Sequence, residues 1–392
     1  MNTIRLSILL VLSCLLAVPA LAQEKAAEEY PGPSHFFRGG YQYGSVLQTN
    51  DFLKGDNDTG EPIDQFQSLR LDFGWQTDGS KDWHHIYNMP AFGLGIYGAD
   101  YFETEDLGDP TSLYGFFHWP WMRKGPWTVN FELNFGFTNN WKPYDPETNP
   151  QNTAFGLGRS VHIEVGFAAE YRIARKWALI AALTATHFSN GGTQRPNHGL
   201  NQAGLGLYAR FDTDTPVSIP VKRDIEFTDK GWDWLVTGSA GKRNLDLPLE
   251  DPETQQYLNK TYFIGNLTVG AARKFSNNFR YYLGLDFCYD GSVGDIERID
   301  AYNNGTNVDP KSSDYLELAA VAGIEANAHR TDFIIHLGYK LFYKDVEGRL
   351  PELYQRLGVR QYVWQNWFVG LNVRFHELGS ADNLEWTLGY KI

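Results

Sequence analysis

Residues 187–201 read His-Phe-Ser-Asn-Gly-Gly-Thr-Gln-Arg-Pro-Asn-His-Gly-Leu-Asn, a base, a hydroxyl and several amides within one short stretch. In an extended strand, His187 and Ser189 fall on one side with Cα atoms about 6.5–7 Å apart, so an imidazole nitrogen can lean onto the serine oxygen and take its proton. The residues before them alternate. Trp177, Leu179, Ala181, Leu183 and Ala185 share their face, while Ala178, Ile180, Ala182, Thr184 and Thr186 share the other. Beyond the loop, Asn201 shares a face with Ala203, Leu205, Leu207 and Phe211. A hairpin partner would therefore present Asn201 beside His187, where it could accept from the far imidazole nitrogen and fix the tautomer. Polar side chains on so apolar a face ask for a reason. One reading is serine hydrolysis; the other is a polar pair at the headgroup level of a membrane, with no chemistry attached.

The elements that must carry these residues are strands. Trp127–Phe137 places large apolar residues at every odd position and polar or small ones at every even position, which is the period of a strand with one greasy face. Leu69, Leu71, Phe73 and Trp75 oppose Ser68, Arg70, Asp72 and Gly74. Val161, Ile163, Val165 and Phe167 oppose His162, Glu164, Gly166 and Ala168. The second half repeats the pattern, with Phe279–Phe287 set against Arg280 and Asp286, Leu316–Ile324 against Glu317 and Glu325, and a last strand carrying Leu384, Trp386, Leu388, Tyr390 and Ile392. A soluble sandwich would explain any one such strand. So many of them fit a membrane better, given 15% aromatic residues and a leader-like start.

That start has Arg5, an apolar run Leu6–Val18 and the small-x-small triplet Ala20-Leu21-Ala22, so residues 1–22 read as a signal peptide and the mature chain begins at Gln23. Cys14 lies inside the apolar run, ahead of a better cleavage site than a lipidation site would be. Past the leader, no apolar run approaches the ~20 residues a spanning helix needs. A formal charge of −13 without a basic patch argues against nucleic acid as a partner. Only Cys288 remains after cleavage, so no intrachain disulfide can form.

Short connections at Arg175-Lys176, 275–277, 329–331 and 364–366 alternate with long polar loops at 48–64, 139–159, 242–260, 290–314 and 344–353. This is the turn pattern of an outer-membrane barrel, with short turns in the periplasm and long loops outside. The expected fold is an all-β transmembrane antiparallel barrel of roughly sixteen strands. The connection 214–231 divides residues 23–213 from further strands at 232–392, so two tandem eight-stranded barrels are the alternative.

His187-Phe188-Ser189-Asn190-Gly191, followed by Pro196-Asn197 and a strand near Asn201, resembles the active-site hairpin of the outer-membrane lipid A 3-O-deacylase family, often called acyloxyacyl hydrolase. The likeness covers residues 34–213 best, since those enzymes are eight-stranded barrels ending in this hairpin; the second half lies outside the pattern. It implies that Ser189 is the nucleophile and His187 the general base, with Asn190, Gly191 and Asn197 supporting the oxyanion, and that the substrate is lipid A in the outer membrane, with no cofactor. One position departs from the family: its acid would fall at 201, where this chain has Asn201. That asparagine, fourteen residues after the histidine, is similar to the triad of outer-membrane phospholipase A. The loop, however, offers Gln194 and Asn197 where that family places calcium ligands including an acid.

Other histidines are read more plainly. His84 and His85, adjacent in an extended segment, would point to opposite sides and make a poor metal site. His198 lies in the catalytic loop. His162, Glu164 and Glu170 face the barrel interior as parts of a polar network. The sequence assigns no oligomeric state.

Overall fold

A strand with one greasy face must bury its edges as well as choose its faces, and closure into a barrel satisfies both demands in lipid. The computed structural model describes residues 32–102, 104–214, 221–245, 255–257, 260–376 and 380–392, so the expected signal peptide lies outside the described residues. The first eight strands are β1 (Ser34–Leu47), β2 (Gln65–Gln76), β3 (Ala91–Asp100), β4 (Gly108–Lys124), β5 (Trp127–Trp141), β6 (Arg159–Ala174), β7 (Trp177–Ser189) and β8 (Leu200–Asp212). They form one closed antiparallel barrel in chain order, with β8 returning to pair β1. A second closed barrel comprises β9 (Trp232–Arg243), β10 (Tyr262–Lys274), β11 (Phe279–Asp290), β12 (Leu316–Ala328), β13 (Thr331–Phe342), β14 (Leu353–Trp364), β15 (Trp367–His376) and β16 (Ser380–Lys391). The sixteen strands thus close as two barrels of eight rather than as one wide ring. No helix among the described residues is long and apolar enough to cross a membrane.

Alternation assigns the faces as expected. Leu69 and Leu207 on the outside are 67% and 71% exposed, while Arg70 and Gly206 beside them turn inward. The interior of an eight-stranded barrel is just wide enough to be filled by side chains, and here charged pairs fill it. In the first barrel Arg38 donates to Asp72 at 2.7 Å and to Glu132 at 2.6 Å, and Arg70 to Glu164 at 2.5 Å. In the second, Arg356 joins Asp286 and Glu385, each at 2.7 Å, and Arg280 and Arg360 share Glu325 and Asp332. Each cation is buried against carboxylates, so neither sign is left uncompensated in a region poor in water.

His84 and His85 depart from the extended reading. Asp82–Ile86 is a helical turn, and both imidazoles are buried in it. Nδ1 of His84 accepts from the Gly79 amide at 3.1 Å, and His85 Nε2 meets the Gly79 carbonyl at 2.7 Å. The left-handed φ of Gly79 (85°) folds the chain back so that both rings reach one backbone, where adjacent strand residues would have diverged.

Arg38 is 1% exposed. Arg38→Met is expected to destabilise the first barrel by about 3–5 kcal/mol, because it strands Asp72 and Glu132 without their cation. The measurement is the urea midpoint of unfolding from lipid vesicles, which should fall; an unchanged midpoint would show that those carboxylates need no partner.

Candidate active site

The site is built at the long-loop end of β7, where the consecutive side chains of His187, Phe188 and Ser189 go out, in and out by the pleat. Phe188 is fully buried inside the barrel, edge-on to Trp141 with ring centroids 5.3 Å apart and to His162 at 4.9 Å. Trp141 stacks in turn on Phe155 at 4.0 Å. With Phe188 inside, His187 and Ser189 must lie on the outer face. Beneath them Thr186 donates to Glu164 at 2.9 Å, tying the same strand end to the Arg70 pair. His162 Nδ1 meets Ser112 Oγ at 2.9 Å, and Glu170 lies 3.4 Å from Arg210, so these interior residues belong to the polar filling.

Register brings Asn201 beside His187. His187 pairs directly with Asn201 across the β7–β8 hairpin, and Nδ1 of the imidazole lies 2.7 Å from Oδ1 of Asn201. An amide oxygen can only accept, so the hydrogen of the neutral ring sits on Nδ1 and the lone pair is left on Nε2.

Ser189 is less open than its face suggests: it is only 5% exposed. Gly199, in the left-handed region at φ 69°, lies against it. A Cβ on Gly199 would stand 3.3 Å from Cβ of Ser189, 3.4 Å from Cε1 of His187 and 2.6 Å from the Phe188 carbonyl oxygen. Ser189 Cβ and His187 Cε1 therefore both border one position where only a glycine fits. The two backbone polar groups of Gly199 are held by other loops. Its N–H donates to the Ala154 carbonyl at 3.0 Å, and its carbonyl accepts from Nδ2 of Asn50 at 3.1 Å.

The loop asparagines also have definite tasks. The backbone N–H of Asn190 donates to Oδ1 of Asn197 at 2.7 Å, which turns the Asn197 amide one way round. Nδ2 of Asn197 is then a buried donor with no acceptor among the described residues. Gly191 follows in the left-handed region at φ 66°. Sequence reasoning missed Gly199, Asn50 and Phe188 as parts of the site. The glycine two residues after Pro196-Asn197 was a visible signal, whereas Asn50, 149 residues before Gly199, carried none.

The barrel fold and the family comparisons together define an integral outer-membrane ester hydrolase. Residues 67–210 match the family model of lipid A 3-O-deacylase (PagL), and residues 232–392 match that of the acyloxyacyl hydrolase C-terminal domain. Between them the matches take in most of the chain, which belongs to this family and is an outer-membrane lipid A deacylase. The second half, which the motif resemblance left outside its pattern, is thus a recognised part of the family. Among solved structures, the crystal structure of the outer membrane enzyme PagL is similar at 15% identity and TM-score 0.30, covering 44% of this chain and 97% of its own. A Rh. blastica porin mutant shows 12% identity, TM-score 0.17 and coverage of 92% and 99%; CdiB from Acinetobacter baumannii shows 10%, 0.18, and 94% and 61%. Likenesses this slight add nothing to the family assignment. No curated protein matches the chain.

Gly199→Ala is expected to cut lipid A deacylation by on the order of 10²-fold, since the new methyl must displace the Phe188 carbonyl and with it the catalytic strand end. Deacylation in membranes is compared with gel migration of the unheated barrel. Full activity in the variant would show that a glycine at 199 is not needed.

Proposed function

We propose that the deacylase works by serine chemistry, with Ser189 as nucleophile, His187 as general base and Asn201 as the residue that orients the base. The hydrogen bond from His187 Nδ1 to Asn201 Oδ1 at 2.7 Å carries this reading, because it leaves Nε2 as the basic nitrogen of an imidazole two residues from Ser189 on the same strand face. Ser189 Oγ attacks the carbonyl carbon of an ester-linked acyl chain while its proton passes to His187 Nε2. The tetrahedral intermediate collapses, the C–O bond to the sugar breaks, and the imidazolium returns the proton to the departing sugar oxygen. A water molecule, deprotonated by the same nitrogen, then cleaves the acyl-enzyme and releases the fatty acid.

The negative oxygen of each intermediate needs donors. Asn197 Nδ2 is buried and without an acceptor, and the Asn190 N–H holds its amide in that orientation. Asn190 thus supports the oxyanion through Asn197, and the Gly191 amide is assigned as a second donor. Because the pair lies on the outer face of the barrel, the substrate reaches it by sliding laterally in the outer leaflet. The asparagine at 201 is the one observation that favours a phospholipase, and the products decide between the two lipids.

Ser189→Ala is expected to lower deacylation at least ~10³-fold without loss of the barrel. Mass spectrometry of lipid A from cells expressing wild type should show one acyl chain missing, and from the variant none; lysophospholipid release with intact lipid A would assign the site to phospholipids instead. Asn197→Ala is expected to lower kcat by about 10²–10³-fold with little change in KM, the pattern of a donor used only in the transition state. An equal rise in KM would place Asn197 in substrate binding.

A further inference from the structure

The β7–β8 hairpin is held by its own hydrogen bonds and also by a loop 149 residues earlier in the chain. We infer that Asn50, in the connection between β1 and β2, is a positioning residue for Ser189 and His187, an inference that rests on the serine mechanism proposed above. Asn50 is buried, and both ends of its amide are committed. Oδ1 accepts from the Leu53 N–H at 3.1 Å, capping the short helix Asp51–Lys54, and Nδ2 donates to the Gly199 carbonyl at 3.1 Å. Each partner offers one role only, a donor on one side and an acceptor on the other, so the amide has a single orientation.

Gly199 is the residue that the serine and the imidazole both border, within 3.4 Å of a Cβ built there. Ala154 holds its N–H and Asn50 its carbonyl, so the peptide is fixed from two loops at once. The loop that carries Asn50 is itself anchored. Phe52 and Leu53 are buried in the same apolar cluster as Trp141, Phe155 and Phe188, which is the cluster that seats the catalytic strand end. A rigid path therefore runs from that cluster through Leu53 and Asn50 to Gly199 and the reacting pair.

Thr49 extends the contact. Barrel closure pairs Leu47 of β1 with Asn201 of β8, and Oγ1 of Thr49, two residues on, lies 3.4 Å from Nδ2 of Asn201. Consecutive residues of one loop thus steady the glycine over the catalytic pair and the amide behind the base. Neither reaches the scissile bond, so their effect on rate passes through the alignment of groups that do.

The test separates capping from positioning. Asp and Ser are both good helix N-caps, so Asn50→Asp and Asn50→Ser keep the bond to Leu53 and lose only the donor to Gly199. Both variants, purified as full-length barrels in lipid, are expected to lose about 10- to 100-fold in kcat with KM within about twofold of wild type. Asn50→Asp should lose more, since its carboxylate faces the Gly199 carbonyl. Wild-type kcat in both variants overturns the inference, as does a loss that only tracks the fraction of barrel folded by unheated gel migration. Ser189→Ala is measured alongside: if it stays active, the serine reading falls and this role with it, whereas a dead Ser189→Ala beside fully active Asn50 variants sinks the positioning role alone.

Discussion

Everything at the site depends on one side chain being inside the barrel. Phe188 sits between His187 and Ser189, the proposed catalytic pair, and its burial among Trp141, His162 and Tyr97 leaves the pleat no choice about its neighbours. If Phe188 were to leave that cluster by a one-residue slip, His187 and Ser189 would turn into the lumen, away from any lipid. The apolar cluster is thus a register lock, and the catalytic face is its by-product. Asn201 obeys the same lock from the facing strand, because Leu200 before it is buried in the same cluster.

The lumen beneath supplies stiffness of another kind. Arg38, Arg70 and their carboxylates connect β1, β2, β5 and β6 across the interior, and Thr186 joins β7 to that set through Glu164. A buried ion pair adds little net stability over well-packed apolar groups, but removing one partner is severe. Such a network therefore penalises displacement of any strand that contributes to it more than it lowers the energy of the whole. For a strand end that must keep two side chains aligned, that is the useful property. The second barrel is filled on the same principle, with Arg280, Arg356, Arg360 and Arg374 each held by carboxylates from other strands, most of them not adjacent in the barrel.

What the sequence made legible was local. Alternation over Trp177–Ser189 and over Asn201–Phe211 was enough to put His187, Ser189 and Asn201 on one face, because parity is set by neighbours in the chain and the hairpin by a loop between them. Closure is a different matter: Trp127–Phe137 alternates identically in a ring of eight strands and in one of sixteen, and only the pairing of β8 with β1 decides. Asn50 and Thr49 were invisible for that reason, since nothing near residue 50 signals that barrel closure will set it beside Gly199. His84 and His85 went astray through a local cause, a glycine turn that converted an extended segment into a helical one. The burial of Ser189 was missed because its cover is backbone, which leaves no mark in residue types beyond the glycine itself.

At 201 the chain has an amide where the family pattern has an acid in the same membrane setting, and the two groups differ in cost. A carboxylate on the outer face of a barrel must be held ionised against hydrocarbon, whereas an amide presents an acceptor without that cost. The disadvantage is that an amide is polar at both ends and must be told which way to face. Asn197 takes its orientation from the Asn190 N–H, a group that can only donate, so its own donor is left free for an anionic oxygen. Asn50 takes its orientation from Leu53 and Gly199 together. Asn201 lies between the imidazole and Thr49, both of which can change role, and once His187 becomes an imidazolium its Nδ1–H admits only an acceptor. Protonation of the base thus favours the very orientation of Asn201 that stabilises it, and the site needs no fixed negative charge to hold its tautomer.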